Sequence, residues 1–131
     1  MMTTVSALVW SGILTLVIAL VASALCARVW EPGGAMIAFG NREGLPPPAG
    51  LAGRADRASK NQLEAMAMFL AVVLAAHIAG KAADAALGAT IFFWARLVYW
   101  PVYLAGIIYL RTLIWFVSLF GLLLIIKAAW S

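Results

Sequence analysis

The 131-residue chain is too apolar to fold as a soluble globular domain. Hydrophobic residues make up 66% of it and charged residues 11%, whereas soluble domains carry roughly 45–50% and about 25% respectively. The net charge of +4 does not indicate a nucleic-acid partner, because the cations lie between or just inside apolar segments. The composition therefore predicts an integral membrane protein that places most of its apolar surface against membrane lipid.

Four apolar segments are long enough to cross a bilayer as helices, which takes about 20 residues each. They lie at about residues 5–28, 55–79, 87–108 and 112–130. No basic residue precedes the first segment, and the segment is too long for a signal peptide, so we expect a retained helix. The predicted fold class is all-α: one integral membrane domain, residues 1–131, built as a four-transmembrane-helix bundle.

The connection between the first two helices, residues 29–54, is long and rich in proline and glycine. It contains the sequences EPGG at 31–34, GNREG at 40–44 and PPP at 46–48. Proline lacks a backbone donor and glycine favours turns, so this segment is not expected to form a continuous helix. The other two connections are predicted to be short, at residues 80–86 and as a turn at about 109–111.

Lysine and arginine are distributed unevenly over these connections. The cations at the first connection and its flanks are Arg28, Arg42, Arg54, Arg57 and Lys60. The third connection carries Arg111, whereas the second has only Lys81, offset by Asp84. Cytoplasmic loops carry the excess of positive charge, so we expect the first and third connections in the cytoplasm and both termini outside it.

Four polar residues on the second helix are predicted to share one face. Arg54, Arg57, Asn61 and Glu64 follow a 3-4-3 spacing, which at ~100° per residue places them within an arc of roughly 80°. Ionisable side chains within a membrane span are costly and are functional candidates by default. For Arg54, at the end of the span, anchoring of a snorkelling side chain at the membrane surface is the simpler interpretation.

The third helix carries a second polar face, with Arg96, Tyr99 and Tyr103 at a 3-4 spacing. Counted from the cytoplasmic ends of the predicted spans, Glu64 lies ~14 Å deep and Arg96 ~18 Å deep. An unpaired charge at such depth costs several kcal/mol. We therefore expect a buried structural ion pair between Glu64 and Arg96.

The remaining polar residues predict a cationic pocket. Arg57 and Arg111 have few acids to neutralise them, and Asn61 and the two tyrosines can line the same space. Such a pocket suits an anionic ligand. No metal site is predicted, because His77 has no second ligand within reach on its own helix.

These motifs resemble those of a known family, the membrane-associated proteins in eicosanoid and glutathione metabolism (MAPEG). The matching stretches are GRADRASKNQLE at residues 53–64, ARLVY at 95–99, then Tyr103 and Arg111. The resemblance extends over the whole chain, and the proline-rich first loop is similar to that of short bacterial members. It implies a four-helix bundle assembled as a homotrimer in a bacterial inner membrane. It also implies that glutathione, as substrate or cofactor, binds between neighbouring subunits towards the cytoplasm.

The resemblance implies a role for each matched residue. The residues that would bind glutathione are Arg28, Arg57, Asn61, Glu64, Tyr99 and Tyr103. Arg111 would be catalytic and stabilise the glutathione thiolate, while Arg96 would brace Glu64. The family often has an aromatic residue directly after the motif glutamate, where this chain has Ala65.

The expected function is that of a microsomal-type glutathione transferase, or a peroxidase, acting on a hydrophobic small-molecule substrate in the membrane. Two alternatives remain open at this point: a small multi-span transporter and a non-catalytic membrane assembly subunit. The first helix has no acidic residue that could couple transport to an ion gradient. Protection by glutathione against thermal unfolding would distinguish the enzyme from both alternatives.

Overall fold

The structure, a computed structural model, describes all residues 1–131 and contains five helices and no strand. The helices are α1 (Thr4–Ala27), α2 (Gly34–Phe39), α3 (Gly50–Ile78), α4 (Ala86–Ala105) and α5 (Ile108–Trp130). All but α2 are long and apolar enough to cross a membrane. The predicted fold class is confirmed: the chain is an all-α, multi-pass integral membrane protein.

Helices α3 and α4 each contact all three of the other long helices. The most extensive packing is between α4 and α5, and α1 packs mainly against α3. The core contains a stacked pair of rings, Phe69 of α3 and Phe92 of α4, whose centroids are 4.1 Å apart. Val73 and Ile125 are also fully buried in this cluster.

Two glycines allow α4 and α5 to approach very closely. A Cβ atom on Gly88 would lie 2.6 Å from the carbonyl oxygen of Gly121, and one on Gly121 would lie 2.8 Å from the carbonyl oxygen of Gly88. Small residues at such positions let membrane helices gain van der Waals contact between their backbones. The hairpin formed by α4 and α5 is therefore the tightest unit of the bundle.

The turn between α4 and α5 lies earlier than the sequence predicted. Gly106 has φ 76° and ends α4, and α5 begins at Ile108. A left-handed residue directly after a helix is usually glycine, so Gly106 indicates the end of α4 better than the predicted turn at 109–111. Arg111 consequently lies in the first turn of α5 and not in the connection.

The first connection is also shorter than predicted. Helix α3 begins at Gly50, directly after the proline run, instead of at about residue 55. Leu51, Ala52 and Arg54 are good helix formers, which explains the earlier start. The connection also contains the short helix α2, which was not predicted because this segment is rich in proline and glycine.

Candidate functional site

A pocket with a volume of about 410 Å³ opens on the surface of the bundle between α3, α4 and α5. Its lining residues are Arg57, Lys60, Asn61, Glu64, Tyr99, Tyr103, Arg111, Thr112 and Trp115. They include the six residues that the sequence predicted for a shared site on these three helices. Three of the side chains are cations and one is an acid, so the pocket carries a net positive charge.

Helix α3 supplies one wall of the pocket. Arg57, Asn61 and Glu64 lie on it at helical spacing and face the same space, as predicted. Lys60 also lines the pocket, and its Nζ contacts the Oδ2 of Asp56 at 2.8 Å. Lys60 was expected to contribute to membrane orientation only, although it lies three residues after Arg57 and four before Glu64, a spacing that indicates the same face.

The opposite wall contains Tyr99 and Tyr103, and an arginine packs on the ring of each. The Cζ of Arg96 lies 4.3 Å from the ring centroid of Tyr99, and that of Arg111 lies 4.5 Å from the centroid of Tyr103. The two tyrosine rings meet edge to face with centroids 5.6 Å apart. A guanidinium over an aromatic face is electrostatically favourable, so these contacts hold Arg111 against the wall of the pocket.

Arg96 is not paired with Glu64 in the structure, which contradicts the predicted ion pair. The side chain of Arg96 is buried, and its Nε–H donates to the Oε1 of Gln62 at 2.8 Å. Its Nη2 donates to the Oδ1 of Asn61, also at 2.8 Å. Nη1 is buried without a hydrogen-bond partner. Glu64 instead lies at the exposed side of α3 and lines the pocket.

The register of α3 against α4 explains why Arg96 meets Gln62. The Nε–H of Arg54 donates to the carbonyl oxygen of Leu104 at 2.8 Å, which places these two residues side by side on antiparallel helices. Gln62 follows Arg54 by eight residues, and Arg96 precedes Leu104 by eight residues. Glu64 was the predicted partner because it is the acid deepest in α3, and the neutral side chain of Gln62 was not considered.

Arg54, which was not assigned to the site, and Arg28, which was, both lie outside the lining of this pocket. Arg54 contacts the end of α4, as described above, and has a structural contact in place of simple anchoring at the membrane surface. Arg28, which the resemblance assigned to the glutathione site, is exposed at the end of α1 and lies 3.5 Å from the carboxylate of Glu31. Arg28 is therefore not among the residues that line the pocket.

Two further residues at the site, Trp115 and Gln62, were not predicted, and Thr112 had been noted only for its hydroxyl next to Arg111. Thr112 and Trp115 line the pocket from α5, and the hydroxyl of Thr112 donates to the carbonyl oxygen of Ile108 at 3.1 Å. Trp115 follows Arg111 by one helical turn, so its spacing could have revealed it. Gln62 is buried behind the pocket, and no ionisable group marked it in the sequence.

The fold and the site together define an integral membrane bundle with a cationic, tyrosine-lined pocket. The family model of the MAPEG family matches residues 3–130, and the chain therefore belongs to the MAPEG family. No curated protein and no solved structure gives a significant match to the chain. Membership of the family supports a glutathione-related function in the membrane.

Proposed function

We propose that the chain binds glutathione in this pocket and transfers its thiolate to apolar electrophiles dissolved in the bilayer. The observation that carries the proposal is the charge of the pocket. Three cations, Arg57, Lys60 and Arg111, face one acid, Glu64. Glutathione carries two carboxylates and one ammonium, and its ionised thiol adds a third negative charge. The charges of the pocket and the ligand are therefore complementary.

The positions of these groups suggest their roles. Arg57 and Lys60 are suited to bind the carboxylates, and Glu64 is suited to bind the ammonium. Arg111 lies on the other side of the pocket, where it would face the sulfur. A free thiol has a pKa of about 8.5 and reacts as the thiolate. A guanidinium beside the sulfur favours the anion, and lowering the thiol pKa by two units corresponds to ~2.7 kcal/mol.

The second substrate in this proposal is a hydrophobic small molecule that reaches the pocket from the lipid. Trp115 lies one turn deeper than Arg111 on α5 and offers an aromatic surface beside the expected position of the sulfur. The same thiolate could reduce an organic peroxide. Assays with an electrophilic halogenoarene and with an organic hydroperoxide would distinguish conjugation from reduction.

The proposal also includes a homotrimer, with both termini on the extracytoplasmic side of a bacterial inner membrane. Arg28 is exposed at the end of α1 and does not line the pocket formed by α3, α4 and α5. In a ring of subunits it would instead approach the pocket of a neighbour, as the resemblance implies for a site shared between subunits. A trimeric mass of the detergent-purified protein, measured by light scattering, would support this assembly.

Calorimetric titration of the full-length protein in detergent with glutathione tests the proposal. We expect saturable binding, and we expect Arg57→Met to weaken it by about tenfold or more, because a hydrogen bond to a charged group contributes ~1.5–3 kcal/mol. Lys127→Met is the matched control, since it removes a cation at the opposite end of the bundle. Absence of binding, together with no protection against thermal unfolding, would favour the transporter or the assembly subunit.

A further inference from the structure

We infer that Gln62 and Thr15 are positioning residues, which act through Arg96 to hold Asn61 with its amide N–H groups directed at the ligand. This inference rests on the proposed function for the identity of that ligand. Neither Gln62 nor Thr15 lines the pocket, and Gln62 is 1% exposed. Their effect on the ligand must therefore be indirect, and the hydrogen bonds between these residues show how it is transmitted.

The direction of the Asn61 amide follows from the chemistry of arginine. A guanidinium can only donate hydrogen bonds. Because the Nη2 of Arg96 lies 2.8 Å from Asn61, the atom that it meets must be the oxygen, Oδ1. The Nδ2 group then points away from Arg96, and Asn61 lines the pocket. Asn61 therefore presents a donor to the pocket and selects a carbonyl or carboxylate oxygen of the ligand.

The orientation of Gln62 is fixed in the same way. Its Oε1 accepts from the Nε of Arg96 at 2.8 Å, so its Nε2 must face the other direction. There it donates to the Oγ1 of Thr15 at 3.0 Å. The Thr15 hydroxyl in turn donates to the carbonyl oxygen of Ser11 at 2.7 Å. Each hydrogen bond in this array therefore has one possible direction. The array extends across α1, α3 and α4.

Without Gln62 the guanidinium of Arg96 would lose its Nε partner and become free to turn towards other acceptors. Asn61 would then lose the bond that fixes its amide. Packing alone does not require this arrangement, since apolar residues at positions 62 and 96 could fill the same space without burying a cation. The polar array additionally fixes the orientation of the Asn61 side-chain amide.

A double-mutant cycle on glutathione affinity, measured by calorimetry on the full-length protein in detergent, tests the inference. Gln62→Met should weaken binding by about fivefold to tenfold, the size expected for one hydrogen bond. In an Asn61→Ala background the same change should cause no further loss, because Gln62 acts only through Asn61. Gln62→Glu keeps an acceptor for Arg96 but loses the donor to Thr15, so it should recover only part of the affinity lost in Gln62→Met. Additive losses, or an unchanged affinity in Gln62→Met, would overturn the inference.

A second measurement needs no ligand and separates this inference from the proposed function. Gln62 is the sole glutamine of the chain, and Asn41→Ser leaves Asn61 as the sole asparagine. Selective ¹⁵N labelling then gives one pair of side-chain amide signals for each. We expect slow hydrogen exchange at Gln62, fast exchange at Asn61, and faster exchange at Gln62 in Thr15→Val. Fast exchange at Gln62 in the wild type overturns the inference. A wild type that shows this pattern but does not bind glutathione contradicts the proposed function alone.

Discussion

The side chain of Arg54 joins α3 to the end of α4, where its Nε–H donates to the carbonyl oxygen of Leu104 at 2.8 Å. The last carbonyl groups of a helix have no partner within the helix, so Arg54 satisfies one of them. It also lies against Gly106, whose positive φ begins the turn to α5. One side chain thus sets both the register of α3 against α4 and the position of Arg111.

Replacement of Arg54 should destabilise the bundle. Arg54→Met would leave the carbonyl oxygen of Leu104 unpaired and should lower the free energy of unfolding by about 1–3 kcal/mol. Thermal unfolding in detergent would measure the loss. Arg57→Met is the control, because Arg57 lies three residues further along α3 and makes no hydrogen bond or ion pair in the structure. Similar losses in both variants would contradict a specific role for Arg54.

A single methyl group between α4 and α5 should also be destabilising. Gly121→Ala would place a Cβ 2.8 Å from the backbone nitrogen of Phe92 and from the carbonyl oxygen of Gly88, so the helices must move apart. Overpacking of this kind typically costs about 1–3 kcal/mol. Gly12→Ala is the control, because no atom lies within 4 Å of the added Cβ. Equal unfolding temperatures for the two variants would show that the close approach of the helices is not required.

The absence of an ion pair at Glu64 leads to a third prediction. Because Glu64 is exposed and has no ion-pair partner, Glu64→Gln should change the free energy of unfolding by no more than about 0.5 kcal/mol. Gln62→Leu leaves the Nε–H of buried Arg96 without an acceptor and should lower the free energy of unfolding by about 1–3 kcal/mol. Thermal unfolding of both variants would compare them. A loss of about 3–5 kcal/mol in Glu64→Gln would instead indicate the broken ion pair.

The pocket residues could be predicted from the sequence because they are polar residues within apolar membrane spans. In a membrane span, an arginine or glutamate is costly enough to be conspicuous, and helical periodicity then places Arg57, Asn61 and Glu64 on one face. The six predicted pocket residues on α3, α4 and α5 accordingly share one pocket in the structure.

The hydrogen-bond partners of Arg96 could not be predicted in the same way, because they depend on the register between α3 and α4. The register could not be counted from predicted helix ends that differ from Gly50 and Ala105. Charge then favoured Glu64 as the expected partner over the neutral Gln62. The position of Arg28 outside the pocket follows from which helices are neighbours, and periodicity within one helix carries no information about that.

The proposed orientation can be tested with single cysteines. In a Cys26→Ala background, which removes the one native cysteine, Asn41→Cys should react with a membrane-impermeant thiol reagent only after the cytoplasmic side is exposed. Ala82→Cys, in the connection between α3 and α4, should react from the outside. The reason is the concentration of arginine and lysine around the first connection. Labelling of Asn41→Cys from the periplasmic side alone would reverse the proposed topology.

Arg111 separates an enzyme from a protein that only binds glutathione. Its guanidinium packs against Tyr103 across the pocket from Arg57 and Glu64. If it faces the sulfur, Arg111→Leu should raise the pKa of the bound thiol, and the acid limb of the pH–rate profile should move to higher pH. Conjugation of a hydrophobic electrophile at neutral pH should fall by one to two decades, about 1.4–2.7 kcal/mol. Glutathione affinity should fall much less, and Arg111→Lys, which keeps a cation, should retain part of the rate. A near-normal rate with an unshifted profile in Arg111→Leu would assign Arg111 to the structure of the α4–α5 turn, and the thiolate would then need another source of stabilisation.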